Sequence, residues 1–411
     1  MLIGQMKDSV SIVLVGAGGM GLCYLKALFE EFSPSKVHLL GVVEPYPEMS
    51  VSITELRKNR ITTYPALREF YDAHSEVDLA IIASPMHHHV PQSCQAIERG
   101  SHVLCEKPLA ATVQDARRLI TGSFSSDLWV KIGYQWSFSE AIRALKKDII
   151  QGRYGKALRL KTLCFWPRDL LYFQRNDWAG KKKNADGHWV LDSPANNAMA
   201  HFLHNAFYIL GEHPHLSATP REVTAELYRA YPIDNYDTVA CRIWTVDGTE
   251  ILFYASHSTF EKMGPMFFCE FEKGHVSYGE EGSTVVAVTR DGDETNYGSP
   301  EKDPFRKLFD AVSAVHTPRP VVCGPQAAFP QTLCMNGIQD SVSNICPFQG
   351  SMITREKNRI WVDGLGERFH ACYREGILPS EAGISWARRG KTVDLREYEF
   401  FPGGKPREGD R

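Results

Sequence analysis

Three groups in this 411-residue chain have the types and spacing to do chemistry. Lys107 stands in Glu106-Lys107-Pro108, directly after the apolar run His102-Val103-Leu104-Cys105. Parallel α/β folds gather their ligands at the ends of such strands, and a lysine there can stabilise charge developing on a reacting oxygen. His201, in Asn197-Ala198-Met199-Ala200-His201, belongs to the residue type that titrates near neutrality and suits proton removal from a hydroxyl. Gly16-Ala17-Gly18-Gly19-Met20-Gly21 has the spacing of a pyrophosphate turn. There Gly16 permits the tight turn, Gly18 lets backbone approach the phosphates, and Gly21 allows close helix–strand packing. The next helix, opening at Gly19 and Met20, would turn free N–H groups toward the anion. A cofactor cradle with a titratable group beyond it implies redox chemistry.

The elements that must position these groups are legible. Ser11-Ile12-Val13-Leu14-Val15 reads as a strand buried on both faces, followed by a helix through Leu22–Leu28. His38–Val43, Leu79–Ala83 and His102–Cys105 repeat the strand signal, with helical segments between them. This alternation predicts a parallel, doubly wound Rossmann-type α/β domain over 8–135. Glu44 ends the second strand, where a carboxylate can accept hydrogen bonds from ribose hydroxyls and would repel a 2′-phosphate. No arginine follows it immediately, so NAD is expected rather than NADP.

Residues 136–400 read as an α+β domain with a large, mainly antiparallel open sheet, and 401–411 as a frayed tail. Strands are expected at 158–165, 238–244 and 250–255, with a hairpin over 266–278 turning at Lys273-Gly274. The loop 166–180 carries Arg168, Arg175, Asn176 and Trp178, and His188 and Trp189 follow. Flat aromatic faces with polar forks suit a sugar or cyclitol, covering C–H surface while arginines bind hydroxyls or a carboxylate.

At this point the chain resembles the Gfo/Idh/MocA oxidoreductases, the glucose–fructose oxidoreductase and inositol dehydrogenase group. The resemblance runs through Gly16–Gly21, Ala83-Ser84-Pro85-Met86-His87-His88-His89, and Ala96 to Pro108, and continues in Gly133-Tyr134-Gln135-Trp136-Ser137-Phe138. It implies that Ser84, Pro85, Glu106 and Lys107 border the nicotinamide, with His87 and His89 lining the cofactor site or capping the next helix. Lys107 would face the substrate hydroxyl, and Gln135 and Trp136 would lie on the substrate side. The family's usual Asp-x-x-x-His is matched here by Asn197 and His201, a spacing that would put both on one helix face. His204 falls where a further aspartate is usual. Neutral Asn197 can position a group but cannot accept a proton, and Asp192 is the candidate for the missing carboxylate. The resemblance also implies a homo-oligomer, dimer or tetramer, formed through the second sheet.

Composition is that of an ordinary globular enzyme, 43% hydrophobic and 23% charged. A net charge of −3 gives no general attraction for nucleic acid or anionic membrane. The start, Met1–Asp8, lacks signal-peptide character, and ten scattered cysteines suggest a reducing compartment, so the cytoplasm is expected. No metal is expected: His87-His88-His89 point in different directions, and His201-x-x-His204 lacks the helical zinc motif's glutamate. The activity expected is NAD-dependent oxidation of a secondary hydroxyl on a sugar, sugar derivative or cyclitol. A redox-neutral enzyme that retains NAD, and a non-catalytic NAD sensor, remain open alternatives.

Overall fold

The structure, a computed structural model, describes residues 9–124, 127–317 and 320–405. The segment 1–8 and the tail residues 406–411 therefore lie outside the described residues. The chain forms two compact units. The first takes in 1–110, 115–138 and 303–325, and the second 111–114, 139–302 and 326–411.

The first unit is built on a six-stranded parallel sheet: β1 Val10–Val15, β2 Val37–Val43, β3 Thr63–Tyr64, β4 Leu79–Ile82, β5 His102–Cys105 and β6 Val130–Ile132. Their spatial order, β3-β2-β1-β4-β5-β6, is that of a Rossmann domain. β1 and β4 are buried along their whole length, as a strand covered by helices on both faces must be. The order reverses between β1 and β4, so the loops after these strands flank the switch point where such sheets bind ligands. Those loops begin at Gly16 and Ala83. The helix Arg306–Val315, far along the chain, also belongs to this unit.

The second unit is built on a ten-stranded mixed sheet. Its strands are β7 Ala157–Phe165, β8 Pro220–Arg229, β9 Thr238–Thr245, β10 Glu250–Ser256, β11 Met263–Phe271, β12 Gly274–Tyr278, β13 Val285–Thr289, β14 Glu294–Gly298 and β15 Cys346–Pro347, with a short edge strand at Thr392–Asp394. Pairing is antiparallel except for β7 with β10 and β8 with β15. Strands β7 and β9 to β12 fall where the sequence pattern puts them. The alternation does not reveal β8, β13 and β14. The segment expected to fray from 401 is anchored at its start: Phe401 is 2% exposed and exchanges hydrogen bonds of 2.9 and 3.1 Å with the Gln114 amide.

The glycine turn shows how strictly local sterics set this fold. Gly16 has φ +85°, and a Cβ there would lie 2.8 Å from the Ser84 nitrogen. A Cβ on Gly21 would lie 2.0 Å from the Gly16 carbonyl oxygen, whereas one on Gly18 meets nothing within 4 Å. Gly21→Ala is thus expected to destabilise the protein by about 1–3 kcal/mol through overpacking. Gly18→Ala should leave the melting temperature unchanged; thermal unfolding of the two variants checks the contrast.

Candidate functional site

The first unit carries the cradle. Its first helix, Met20–Glu30, starts at Gly19 with no side-chain cap and no acidic residue in its first turn, so the positive end of the helix is left for an anion. Gly18 and Gly19 are exposed, and the Gly21 N–H turns back to the Gly18 carbonyl at 2.8 Å. Glu44 follows β2 and accepts the Ala17 N–H at 3.1 Å, which fixes its carboxylate against the glycine turn. Open space at Gly18, an uncapped helix start and an acid at the end of β2 fit a dinucleotide.

The loop after β5 rests on a buried ionic cluster. Glu106 is 7% exposed; its Oε1 accepts the Tyr24 hydroxyl at 2.6 Å and pairs with the Lys307 ammonium, itself 2% exposed. Lys307 also donates to the Gly133 carbonyl at 3.2 Å, and Glu106 Oε2 accepts the Lys107 N–H at 3.3 Å. Burial alone would push the Glu106 carboxyl up, but Lys307 and the Tyr24 hydroxyl hold it below the usual range. The cluster joins the phosphate-side helix, the ends of β5 and β6 and the helix Arg306–Val315. A Cβ on Gly133 would lie 2.9 Å from Glu106 Oε1, so this position has room for glycine alone. Glu106, expected beside the cofactor, thus spends both oxygens inside the unit, and Lys107 is left half-buried on a braced loop.

A second tie runs through His89, which is buried at the start of the helix His89–Glu98. Its Nδ1 lies 2.8 Å from the Pro108 carbonyl and its Nε2 3.0 Å from the Ser84 carbonyl. Burial pushes its pKa down while both carbonyls favour a ring proton. His89 therefore links the Ser84-Pro85 segment to the Lys107 loop. The Ser84 hydroxyl donates to Gln92, Pro85 is exposed, and the half-buried His87 ring lies tilted against His88 with centroids 4.1 Å apart. Gln135 and Trp136 open a short 3-10 turn, with Trp136 buried and Gln135 half-buried.

The second unit carries the residues around His201. Sequence spacing puts Asn197 and His201 on one helix, but the helix begins at Ala200 and Asn197 lies in the turn before it. The Met199 N–H bonds to Pro194 instead, and the Asn197 side chain donates to Asp192 Oδ1 at 2.7 Å. Asp192 is 3% exposed, takes the Gly180 N–H at 2.6 Å and pairs with Arg175 at 3.8 Å. A carboxylate thus stands directly behind Asn197. His201 is half-buried beside Phe202. His204 is 1% exposed and stacks on Tyr208; burial, then the Lys146 charge, pushes its pKa well down.

Of the loop residues, Arg175 lies 3.8 Å over the Tyr172 ring and 5.1 Å over Trp178, and Arg168 lies 4.6 Å over Tyr172. Asn176 caps the turn by accepting the Trp178 and Ala179 N–H groups. His188 is exposed in a separate turn, and Trp189 packs edge-on against Phe401 under the Lys183 ammonium. Trp189 is thus engaged by Phe401. Among the described residues, no group of three His, Cys, Asp or Glu could hold a metal ion, and no helix is long and apolar enough to cross a membrane.

Residues 10–134 match the model of an oxidoreductase family with an NAD-binding Rossmann fold, GFO_IDH_MocA. This stretch is similar to the NAD-binding domain of the Gfo/Idh/MocA oxidoreductases. The rhizopine catabolism protein MocA of Rhizobium meliloti is 33% identical over 142 residues, 34% of this chain and 43% of MocA. Inositol 2-dehydrogenase of Burkholderia cenocepacia is 24% identical over 211 residues, 50% of this chain and 55% of that enzyme. The chain thus spans about half the length of the curated relatives it matches. Among solved structures, the WlbA dehydrogenase of Bordetella pertussis, determined with NADH and UDP-GlcNAcA, superposes with a TM-score of 0.65 at 18% identity, covering 83% of this chain and all of that one (100%). Levoglucosan dehydrogenase with NADH gives 0.64 at 18%, covering 80% and 96%. At such identities the likeness is one of fold, and it extends through both units.

Sequence reasoning missed Lys307 and Tyr24, because a lone lysine on a helix 201 residues from its partner carries no local signal. Removing the cation leaves a buried carboxylate unpaired, so Lys307→Met should cost about 3–5 kcal/mol near pH 7. Glu106 has a depressed pKa in the folded protein, so its contribution is present above the unfolded carboxylate pKa and fades as pH falls through the folded one. In Lys307→Met the carboxyl is pushed up instead and its penalty is relieved by acid. The stability gap between the two proteins should therefore shrink from pH 7 toward about pH 4, measured by chemical denaturation across that range.

Proposed function

We propose that this protein is an NAD-dependent dehydrogenase acting on a secondary hydroxyl of a sugar, sugar derivative or cyclitol. The observation that supports this best is Lys107, held half-buried on a doubly braced loop at the end of β5 in an NAD-binding domain. The names of the relatives, inositol 2-dehydrogenase and levoglucosan dehydrogenase among them, favour the same substrate class.

Bound NAD would supply the hydride acceptor. The glycine turn and uncapped helix bind its phosphates, and Glu44 selects a ribose with free hydroxyls. Lys107 donates a hydrogen bond to the substrate oxygen and stabilises the alkoxide as the O–H proton departs. His201 accepts that proton, so the substrate oxygen is deprotonated as its carbon would give up a hydride to bound NAD, and the alcohol would become a ketone. Asn197 orients substrate or His201, its amide held in one direction by Asp192. The soluble dehydrogenase works as a homo-oligomer in this reading.

Absorbance of NADH against a panel of sugars and cyclitols tests the reading. One responsive class would support a dehydrogenase, whereas substrate turnover with NAD retained and no NADH would favour redox-neutral chemistry. Lys107→Ala and His201→Ala should each lower kcat by about 10²- to 10⁴-fold, with far smaller change in NAD affinity. Normal turnover by Lys107→Ala would overturn the assignment.

A further inference from the structure

We infer that the substrate carries a carboxylate, and that Arg168 and Trp166 form its receptor; this deepens the sugar-dehydrogenase reading and rests on it. After β7 the chain stays extended, with the Trp166 N–H bonded to Ser256 and the Arg168 N–H to His257. Side chains two residues apart in extended chain face the same way. The Arg168 guanidinium accordingly lies 5.9 Å from the Trp166 ring centre. Trp166 Nε1 and Arg168 Nε are both shielded from solvent, and neither has an acceptor among the described residues. Buried N–H donors are nearly always hydrogen-bonded in folded proteins, so two adjacent exceptions need a reason. An acceptor brought by a ligand supplies one.

The charge balance selects the acceptor. Arg175 and Arg168 share the Tyr172 ring, but only Arg175 has a carboxylate, that of Asp192. Asp169, next in sequence to Arg168, caps the following turn through the Tyr172 N–H at 2.9 Å and makes no ion pair with Arg168. His257 beside them adds no charge: burial, with Arg168 and Arg175, pushes its pKa down to about 3. Among the described residues one guanidinium therefore lacks a counter-charge, which matches a monoanion better than a dianionic phosphate. A planar fork beside a single indole N–H is also carboxylate geometry.

Within the second unit, the receptor is contiguous with Asn197 and His201. From Arg168 the contacts run over Tyr172 to Arg175, Asp192 and Asn197. Trp166 packs edge-on against Phe202, the neighbour of His201, at 5.4 Å. A sugar acid would place its carboxylate on Arg168 and its ring against the aromatic faces.

The test pairs D-glucose with D-glucuronate and D-galactose with D-galacturonate, using NAD and NADH absorbance. A uronate is expected to exceed its neutral partner in kcat/KM by about 100-fold. Arg168→Met should collapse that ratio toward one, chiefly through KM, and Arg168→Lys should restore part of it; circular dichroism checks that both fold. Equal turnover of acid and neutral sugar, or an unchanged ratio in Arg168→Met, overturns the inference. If neither class yields NADH, the dehydrogenase reading fails, and calorimetric titration of glucuronate and galacturonate into the NAD-loaded protein decides this one. Binding of either that Arg168→Met abolishes upholds the receptor, and no binding overturns it.

Discussion

A buried carboxylate that must stay ionised is the constraint around which the first unit is arranged. Glu106 sits at the C-terminal end of β5, where water cannot solvate its charge, and a lone ion there would be prohibitively costly. Lys307, the Tyr24 hydroxyl and the Lys107 backbone together replace the lost hydration. Each replacement fixes an element: the helix Met20–Glu30 through Tyr24, the returning helix through Lys307, and the loop after β5 through its own N–H. Gly133 must lack a side chain because the ion pair fills that space. Buried pairs of this kind seldom add much net stability, yet they demand one arrangement of their surroundings. Here that arrangement holds the backbone that carries Lys107.

The glycine turn obeys a different constraint, steric rather than electrostatic. Gly16 and Gly21 are forced by backbone atoms within 3 Å of where a Cβ would stand, while Gly18 faces open space. The first two are required by the fold, and the third is under no such packing constraint. An uncapped helix start and an acid anchored to the turn complete a surface that is positive at the helix end and negative at Glu44.

In the second unit charge is supplied by neighbours rather than by Asn197 itself. Asn197 lacks a charge, but Asp192 lies in hydrogen-bond contact and is held in turn by Arg175 and the Gly180 N–H. The negative charge stands five positions upstream of Asn197 and in contact with it. Arg175 is neutralised by this arrangement and Arg168 is not, which makes two arginines on one tyrosine ring unequal in what they can bind.

The sequence by itself determined the Rossmann half, because its signals are short-range. Apolar runs of four to six residues, a glycine spacing set by sterics and a lysine just past a strand can be read from neighbours alone. The same is true of β7 and β9 to β12, whose apolar and β-branched residues mark half-buried strands. Tertiary structure decided everything that depends on two distant residues meeting. The order β3-β2-β1-β4-β5-β6 and the return of Lys307 to Glu106 are such meetings. The helical spacing from Asn197 to His201 misled, since a turn tied to Pro194 delays the helix until Ala200. Periodicity reports which face of an element is buried; which partner buries it is decided only when the chain closes on itself.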